Sequence, residues 1–212
     1  MENRIKKKLS ALKNKFKKQE FNSKDYWIKR YEAGGNSGLG SYDKLAQFKA
    51  DVLNSFIKKY NIRSVIEFGC GDGNQLKFLE RIPYHGFDVS PVAIQICAEK
   101  FVGDNNKKFG LIEGYMGEMA ELTLSLDVIY HVTEYQNYLD YMTRLFSASK
   151  RYVVIYSSNF DDSEVNMNTH ILHREFTSWI NSNAQNFQLI DIIRNPFTTE
   201  SCADFYFYEK VE

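Results

Sequence analysis

Apolar and polar positions change period several times along the chain, and each change marks an element. In the first twenty residues Ile5, Leu9, Leu12 and Phe16 step by four, three and four among lysines, which predicts an amphipathic helix with a narrow apolar stripe. Phe48, Val52, Leu53, Phe56 and Ile57 predict a second helix over 46–60. Between the two, residues 25–48 hold an aromatic-rich lead-in and then glycines, serines and Asn36, which reads as a flexible loop. Short β-prone runs then alternate with helical stretches. Strands are expected over 64–68, 84–88, 109–113, 122–130 and 151–157, and helices over 74–82, 91–101 and 134–147. Strands separated by helices need right-handed crossovers, so the pattern predicts an α/β domain with a parallel sheet covered on both faces. The end departs from the pattern. A helix near 173–183 precedes runs 187–194 and 203–209, which form an expected antiparallel closing pair.

A chain of 212 residues buries a full core without disulfides, so the simplest division is a basic helix (1–22) and one domain (23–212). Net charge is zero, which argues against a surface built to bind nucleic acid. The charge is nevertheless uneven, because residues 1–20 carry eight Lys/Arg and two acids. That face suits an anionic membrane surface or an acidic partner, and equally a solvated or docked helix. Three cysteines, odd in number and far apart, fit free thiols in a reducing compartment. No apolar run approaches the roughly 18 residues that span a bilayer. The basic start also lacks a following apolar core, so a cytoplasmic location is expected, with membrane association through residues 1–20 left open.

The richest stretch is SVIEFGCGDGNQL, residues 64–76. A strand, a turn with Gly69, Gly71 and Gly73, and a helical start at Asn74 bring bare backbone and a helix N-terminus to a small ligand. The dinucleotide fingerprint requires a further glycine where Asn74 stands. The E-x-G-x-G-x-G spacing from Glu67 instead resembles motif I of the class I S-adenosylmethionine (SAM) methyltransferases. The run ELTLSLDVIYHV (121–132) resembles the motif IV region of the same enzymes. This likeness covers roughly residues 60–160 in the right order. It implies a Rossmann-like, seven-stranded, mostly parallel sheet, SAM as cofactor and S-adenosylhomocysteine (SAH) as product. WIKRYEAGGNSGLGSY, SLDVIYHVTE, YVVIYSSN and THILHREFTSWI are similar to bacterial methyltransferases of capsule and O-antigen clusters. That narrower likeness implies O-methylation of a surface-polysaccharide component, at a sugar hydroxyl or a phosphoramidate-type group. The alternatives are a small-molecule N- or O-methyltransferase and a silent SAM-binding protein. No N/D-P-P-F/Y-type segment points to methylation of nucleic acid.

Ligands of such sheets lie beyond the carboxyl ends of the strands, so the residues there are the candidates. SAM is expected over Glu67, Gly69, Cys70, Gly71, Gly73 and Asn74, with Cys70 as a small residue tolerated against it. Asp88 ends the second strand, twenty-one residues after Glu67, and is expected on the ribose hydroxyls, with Val89 and Ser90 nearby. Glu113 to Tyr115 would reach adenine. Ser125 and Leu126 would border the cofactor, while Asp127 and His131 approach the substrate. Tyr26, Trp27, Arg30 and Tyr31 form either a lid, with Arg30 on the methionyl carboxylate, or a helix anchored on the core. Tyr31, Asn36 and Tyr130 are candidates for lining the substrate side. His131 is a candidate general base, or a structural histidine. His170 and His173, if helical, share a face ahead of Arg174. They are open to substrate recognition with Arg174 as anion clamp, to a second base, to a metal pair completed by Asp127 or Asp161, or to a surface role. No resident metal is expected.

Overall fold

The computed structural model describes residues 21–162 and 170–211. The expected helix over residues 5–16 and the basic face it carries lie outside them. Helix α1 (Ser23–Glu32) is capped by the Asn22 side chain, which accepts from the Asp25 amide. It leads through the glycine stretch to α2 (Asp43–Tyr60), which ends where Asn61 turns left-handed. The alternating part follows: β1 (Val65–Phe68), β2 (Tyr84–Asp88), α3 (Pro91–Lys100), β3 (Lys107–Leu111), β4 (Ala120–Leu126), α4 (Tyr135–Ser147), β5 (Ser149–Ser157), α5 (Phe176–Asn183), β6 (Phe187–Ile193) and β7 (Asp204–Lys210). The sheet runs β3-β2-β1-β4-β5-β7-β6. Its first five strands are parallel and β7 lies antiparallel between β5 and β6, as the closing pair requires. Strand order reverses between β1 and β4, so the crevice for a ligand opens there.

Period-two alternation feeds two apolar layers. On one face Val65, Leu122, Leu124, Val154, Phe205 and Phe207 pack under Leu53, Phe56 and Ile57 of α2. On the other, Ile66, Phe68, Val153, Ile155 and Tyr206 pack under Met142, Leu145 and Phe146 of α4 and Phe176 and Ile180 of α5. The polar residues of β4 that alternate with its leucines are satisfied locally. Thr123 donates to the Leu145 carbonyl at 2.9 Å. Ser125 meets the Tyr141 hydroxyl at 2.7 Å.

Three expected elements differ. The helix over 74–82 is only a 3-10 turn, Gln75–Phe78. The Asn54 side chain of α2 donates to the Phe78 carbonyl and accepts from the Glu80 amide, both at 2.8 Å, and so stands in for helical partners. Pro83 further disfavours helix just before it. The strand expected to reach residue 130 stops at Leu126, because Asp127 takes a left-handed φ of 59°. The helix expected from 173 starts at Phe176, so His170, His173 and Arg174 lie in the preceding loop and the two histidines share no helical face.

Candidate active site

A cavity of about 270 Å³ opens at the β1/β4 crevice. Its floor is the glycine turn. The Gly69 and Cys70 amides both donate to the Phe87 carbonyl, at 2.7 and 3.1 Å, which folds the turn back over β2. Gly69 has φ +87°, and a Cβ there would sit 2.5 Å from Val128, so neither its conformation nor its packing admits a side chain. Asp88 secures the turn from β2. One carboxylate oxygen accepts from Gly71 N and the other from Ser90 N, each at 2.9 Å. Burial holds the Asp88 carboxyl above its ordinary range, against those backbone hydrogen bonds. The Val89 amide adds a third backbone hydrogen bond, so of the carboxylate's roughly four acceptor positions one remains for a further donor.

The glycine-rich loop after α1 is tied to the turn through Asp72. That carboxylate accepts from the Tyr42 hydroxyl (2.6 Å), Ser37 N (3.2 Å) and Asn74 N (2.9 Å). Burial opposes its charge, but these hydrogen bonds outweigh burial and keep the carboxyl below its usual range.

Three ionisable groups meet at the inner end. Lys49 of α2 is fully buried and lies 2.7 Å from Asp127, whose other oxygen accepts from Tyr130 at 2.8 Å. Gly40 passes so close to Asp127 that a Cβ would meet it at 2.6 Å. Glu67 accepts from the Tyr84 hydroxyl at 2.6 Å. Burial, only partly offset by Tyr84 and Lys49, pushes its carboxyl up to about 7. Gln75 donates to the Ala46 carbonyl at 2.8 Å, while its buried Oε1 has no partner. Gln75 lines the cavity, although this oxygen is itself buried.

Helix α1 covers the opening with Ser23, Lys24, Trp27 and Tyr31. Ser23 donates its amide and hydroxyl to the two oxygens of Glu134, at 2.8 and 2.5 Å. Lys24 pairs with Glu113 across the mouth. Trp27 meets His131 edge-on, with centroids 4.9 Å apart, and Tyr26 stacks on His170 at 4.7 Å. His131 Nδ1 lies 2.8 Å from the His170 carbonyl. A carbonyl only accepts, so Nδ1 carries the proton and Nε2 is the free acceptor. Burial lowers the His131 pKa to about 4, so the ring is neutral near pH 7.

Of the expected site residues, Tyr31, Glu67, Gly69, Cys70, Gly71, Asp88, Val89, Leu126, Asp127 and His131 line this cavity. Others stand behind it. Gly73 and Asn74 shape the turn, and Asn74 donates to the Ser41 carbonyl at 2.7 Å. Ser90 caps α3, accepting from Ala93 N. Arg30 donates to the Asn36 carbonyl at 2.7 Å and lies over Trp27, so it braces the loop. The Asn36 side chain accepts from Gly38 N within that turn. Tyr130 donates to Asp127, away from the lining. His170 and His173 take separate partners, the latter Ser158 Oγ at 2.6 Å, and do not converge as a metal pair. Among the described residues no cluster of three His, Cys, Asp or Glu is arranged for a metal. The Arg174 guanidinium donates to the Val132 and Thr133 carbonyls and lies over the Tyr138 ring, so two of its five N–H donors brace the loop before α4. The sequence reading passed over Lys49, Gln75, Tyr141 and Arg144. For Lys49 a signal existed: Ala46, Lys49, Ala50 and Leu53 share one helical stripe, so a lysine stands on an otherwise apolar face.

No protein-family model matches the sequence, and a search of the curated proteins finds no match. Solved structures do match. An N-methyltransferase, NodS, from Bradyrhizobium japonicum in complex with SAH superposes with a TM-score of 0.69 at 12% identity, over 91% of this chain and 100% of that one. The magnesium protoporphyrin IX methyltransferase from Synechocystis with bound SAM gives 0.64 at 12% identity, over 91% and 99%. An O-methyltransferase family protein from Burkholderia thailandensis gives 0.62 at 14% identity over 80% of this chain, which spans only 57% of that protein. The chain thus has the Rossmann-like, seven-stranded α/β fold of these methyltransferases, and its own cavity lies at the switch point of the strand order.

Proposed function

We propose that the chain is a SAM-dependent methyltransferase. The observation that carries this is the cavity itself: a glycine turn pinned by Asp88, with Glu67 and Gln75 among the residues that line the same space. These residues fit the cofactor's donor-rich ends. Asp88 suits a pair of ribose hydroxyls, and Glu67 suits an ammonium group. SAM, when bound, supplies a methyl group activated by a sulfonium. The residues of this chain then have three tasks. The glycine turn and Asp88 bind, α1 excludes water, and the neutral His131 offers Nε2 as an acceptor that orients a donor on the substrate. With a pKa near 4, His131 positions better than it removes protons. That favours a phosphoramidate-type oxygen, which is already nucleophilic, over a neutral sugar hydroxyl.

For the acceptor we propose a polar component of a bacterial surface polysaccharide, a sugar hydroxyl or a phosphoramidate-type oxygen. This rests on the sequence resemblance of residues 27–42, 125–134, 152–159 and 169–180. The three structural neighbours act on unlike acceptors, so the shared fold carries no preference among them. The remaining readings are a small-molecule methyltransferase outside polysaccharide pathways and a silent SAM binder. The test is SAH formation from methyl-labelled SAM with nucleotide sugars, phosphoramidate-bearing glycans, phenols and amines. Turnover on the sugar-type acceptors is the expected result. Turnover on phenols or amines alone would remove the polysaccharide assignment, and no turnover with any acceptor leaves the silent binder.

A further inference from the structure

A parallel sheet needs cover on both faces, and among the described residues this one lacks it at one corner. On the face under α2, helix α3 covers β2 and β3, with Ile94 and Cys97 packed among Tyr84 and Phe109. On the opposite face the helices are α4 and α5, which pack on β4, β5 and their neighbours. The slot beside them, over β2 and β3, falls to the connection from β3 to β4. That connection is residues 112–119, with one 3-10 turn, Ile112–Gly114, and no α-helix. Its cover is Tyr115, which meets Phe68 and Phe87 edge-on, each with centroids 5.3 Å apart. On the same side of the strands His85 is half-buried, and Lys108, paired with it in register, is exposed. Around them Leu111, Met116 and Met119 are 36%, 87% and 44% exposed.

The described chain begins beside that gap. Ser23 bonds to Glu134, the residue before α4, and Lys24 pairs with Glu113 of the connection, so the first turn of α1 bridges the two rims. Phe21 packs on Tyr26, which leaves residues 17–20 as a link that reaches about 13 Å when extended. Ahead of the link stands the stripe Ile5, Leu9, Leu12 and Phe16. A helix over 5–16 would be about 18 Å long, and five-residue strands such as β2 and β3 run about 16 Å. One such helix therefore spans the uncovered strands. The charge near the gap is mixed, with Glu118 and Asp140 against Lys108 and Arg144, so the apolar stripe matches it better than the lysine face does.

We propose that the apolar stripe of residues 5–16 docks on this corner of its own chain, over Tyr115, Met116 and Met119, in the place of the crossover helix that the β3–β4 connection lacks. Two other occupants fit less well. Four apolar residues are few for holding a membrane without a second anchor. A second copy would compete with a segment tethered a few residues away, whose effective concentration at the gap is about millimolar. The docked segment also closes the flank of the cavity, which Ile112 lines from one rim of the gap and Asn137, Asp140 and Arg144 from the other. Its lysines then face solvent. This role belongs to the fold and stands whichever ligand the cavity takes.

The experiment compares the full wild-type chain with Leu9→Asp/Leu12→Asp, by methionine oxidation in dilute hydrogen peroxide and by amide exchange, both read by mass spectrometry. Met142, 0% exposed, should stay protected in every chain and so reports that the domain is folded. In wild type Met116 should oxidise about fivefold more slowly than in the variant, and amides of 107–119 should exchange about tenfold more slowly. Lys7→Asp changes the opposite side of the same helix and should behave as wild type. Wild-type protection should not change with protein concentration. Equal Met116 oxidation in wild type and Leu9→Asp/Leu12→Asp overturns the proposal, and so does equal loss of protection in Lys7→Asp. Protection that rises with protein concentration assigns the corner to a second copy. Protection that appears only with phosphatidylglycerol vesicles assigns it to a membrane. Either of these also overturns the proposal.

Discussion

At the scale of single residues, two buried ionisable groups pull stability in opposite directions with pH. His131 titrates at about 4 in the folded chain against 6.5 ordinarily, because burial penalises its charge. Its contribution is complete above 6.5 and is lost as pH falls through 4. Glu67 is raised from 4.5 to about 7, also by burial. Its contribution is complete below 4.5 and is lost as pH rises through 7. Between these limits the two contributions oppose each other. Replacing Glu67 with Gln removes one side. The variant should gain stability relative to wild type as pH rises from about 5 to 8, by up to about 3 kcal/mol in urea unfolding. A gap constant over that range would contradict the buried, near-neutral carboxyl. Neither environment was legible in the sequence. Glu67 was visible as the acid of a glycine motif, but its poise depends on Tyr84 and Lys49, which stand seventeen and eighteen residues away on other elements.

At the scale of elements, α1 is the part of the cavity wall held most locally. Its N-terminus is fixed by the two hydrogen bonds from Ser23 to Glu134, and its middle by the aromatic contacts of Tyr26 and Trp27 with the two histidines. Glu134→Ala removes both hydrogen bonds, each to a charged acceptor, a loss of about 2 kcal/mol to local closure. Amides of 23–32 should then exchange at least tenfold faster, while those of β1, β4 and β5 keep wild-type protection. Unchanged exchange in 23–32 would show that the aromatic contacts alone hold the helix. The lead-in to the glycine stretch announced itself through its aromatic residues, but its closing partner did not. Glu134 lies 111 residues from Ser23, and no local pattern joins them. The short turn at Gln75–Phe78 was unreadable for a similar reason, since the side chain of Asn54 on another helix replaces the helical hydrogen bonds.

At the scale of the whole molecule, alternating period carried the reading well. The parallel strands, the antiparallel closing pair and the glycine turn at the switch point all follow from apolar runs and turn residues close in sequence. The site divides along the same line. Glu67, Gly69, Gly71 and Asp88 belong to local motifs and reach the cavity, whereas Arg30, Arg174 and His173, isolated polar residues with no such motif, lie outside its lining and hydrogen-bond to structural neighbours. Among the described residues no helix is long and apolar enough to cross a membrane. The central claim is that this cavity binds SAM and its product. Its most direct test is calorimetric titration of SAH into the full chain, with a chelator present, beside the Asp88→Ala variant. The account predicts one-to-one micromolar binding by wild type, indifferent to chelator, and a loss of about 1–3 kcal/mol in Asp88→Ala from the missing charge-assisted hydrogen bonds. An absence of binding by wild type, or equal affinity in Asp88→Ala, would contradict it.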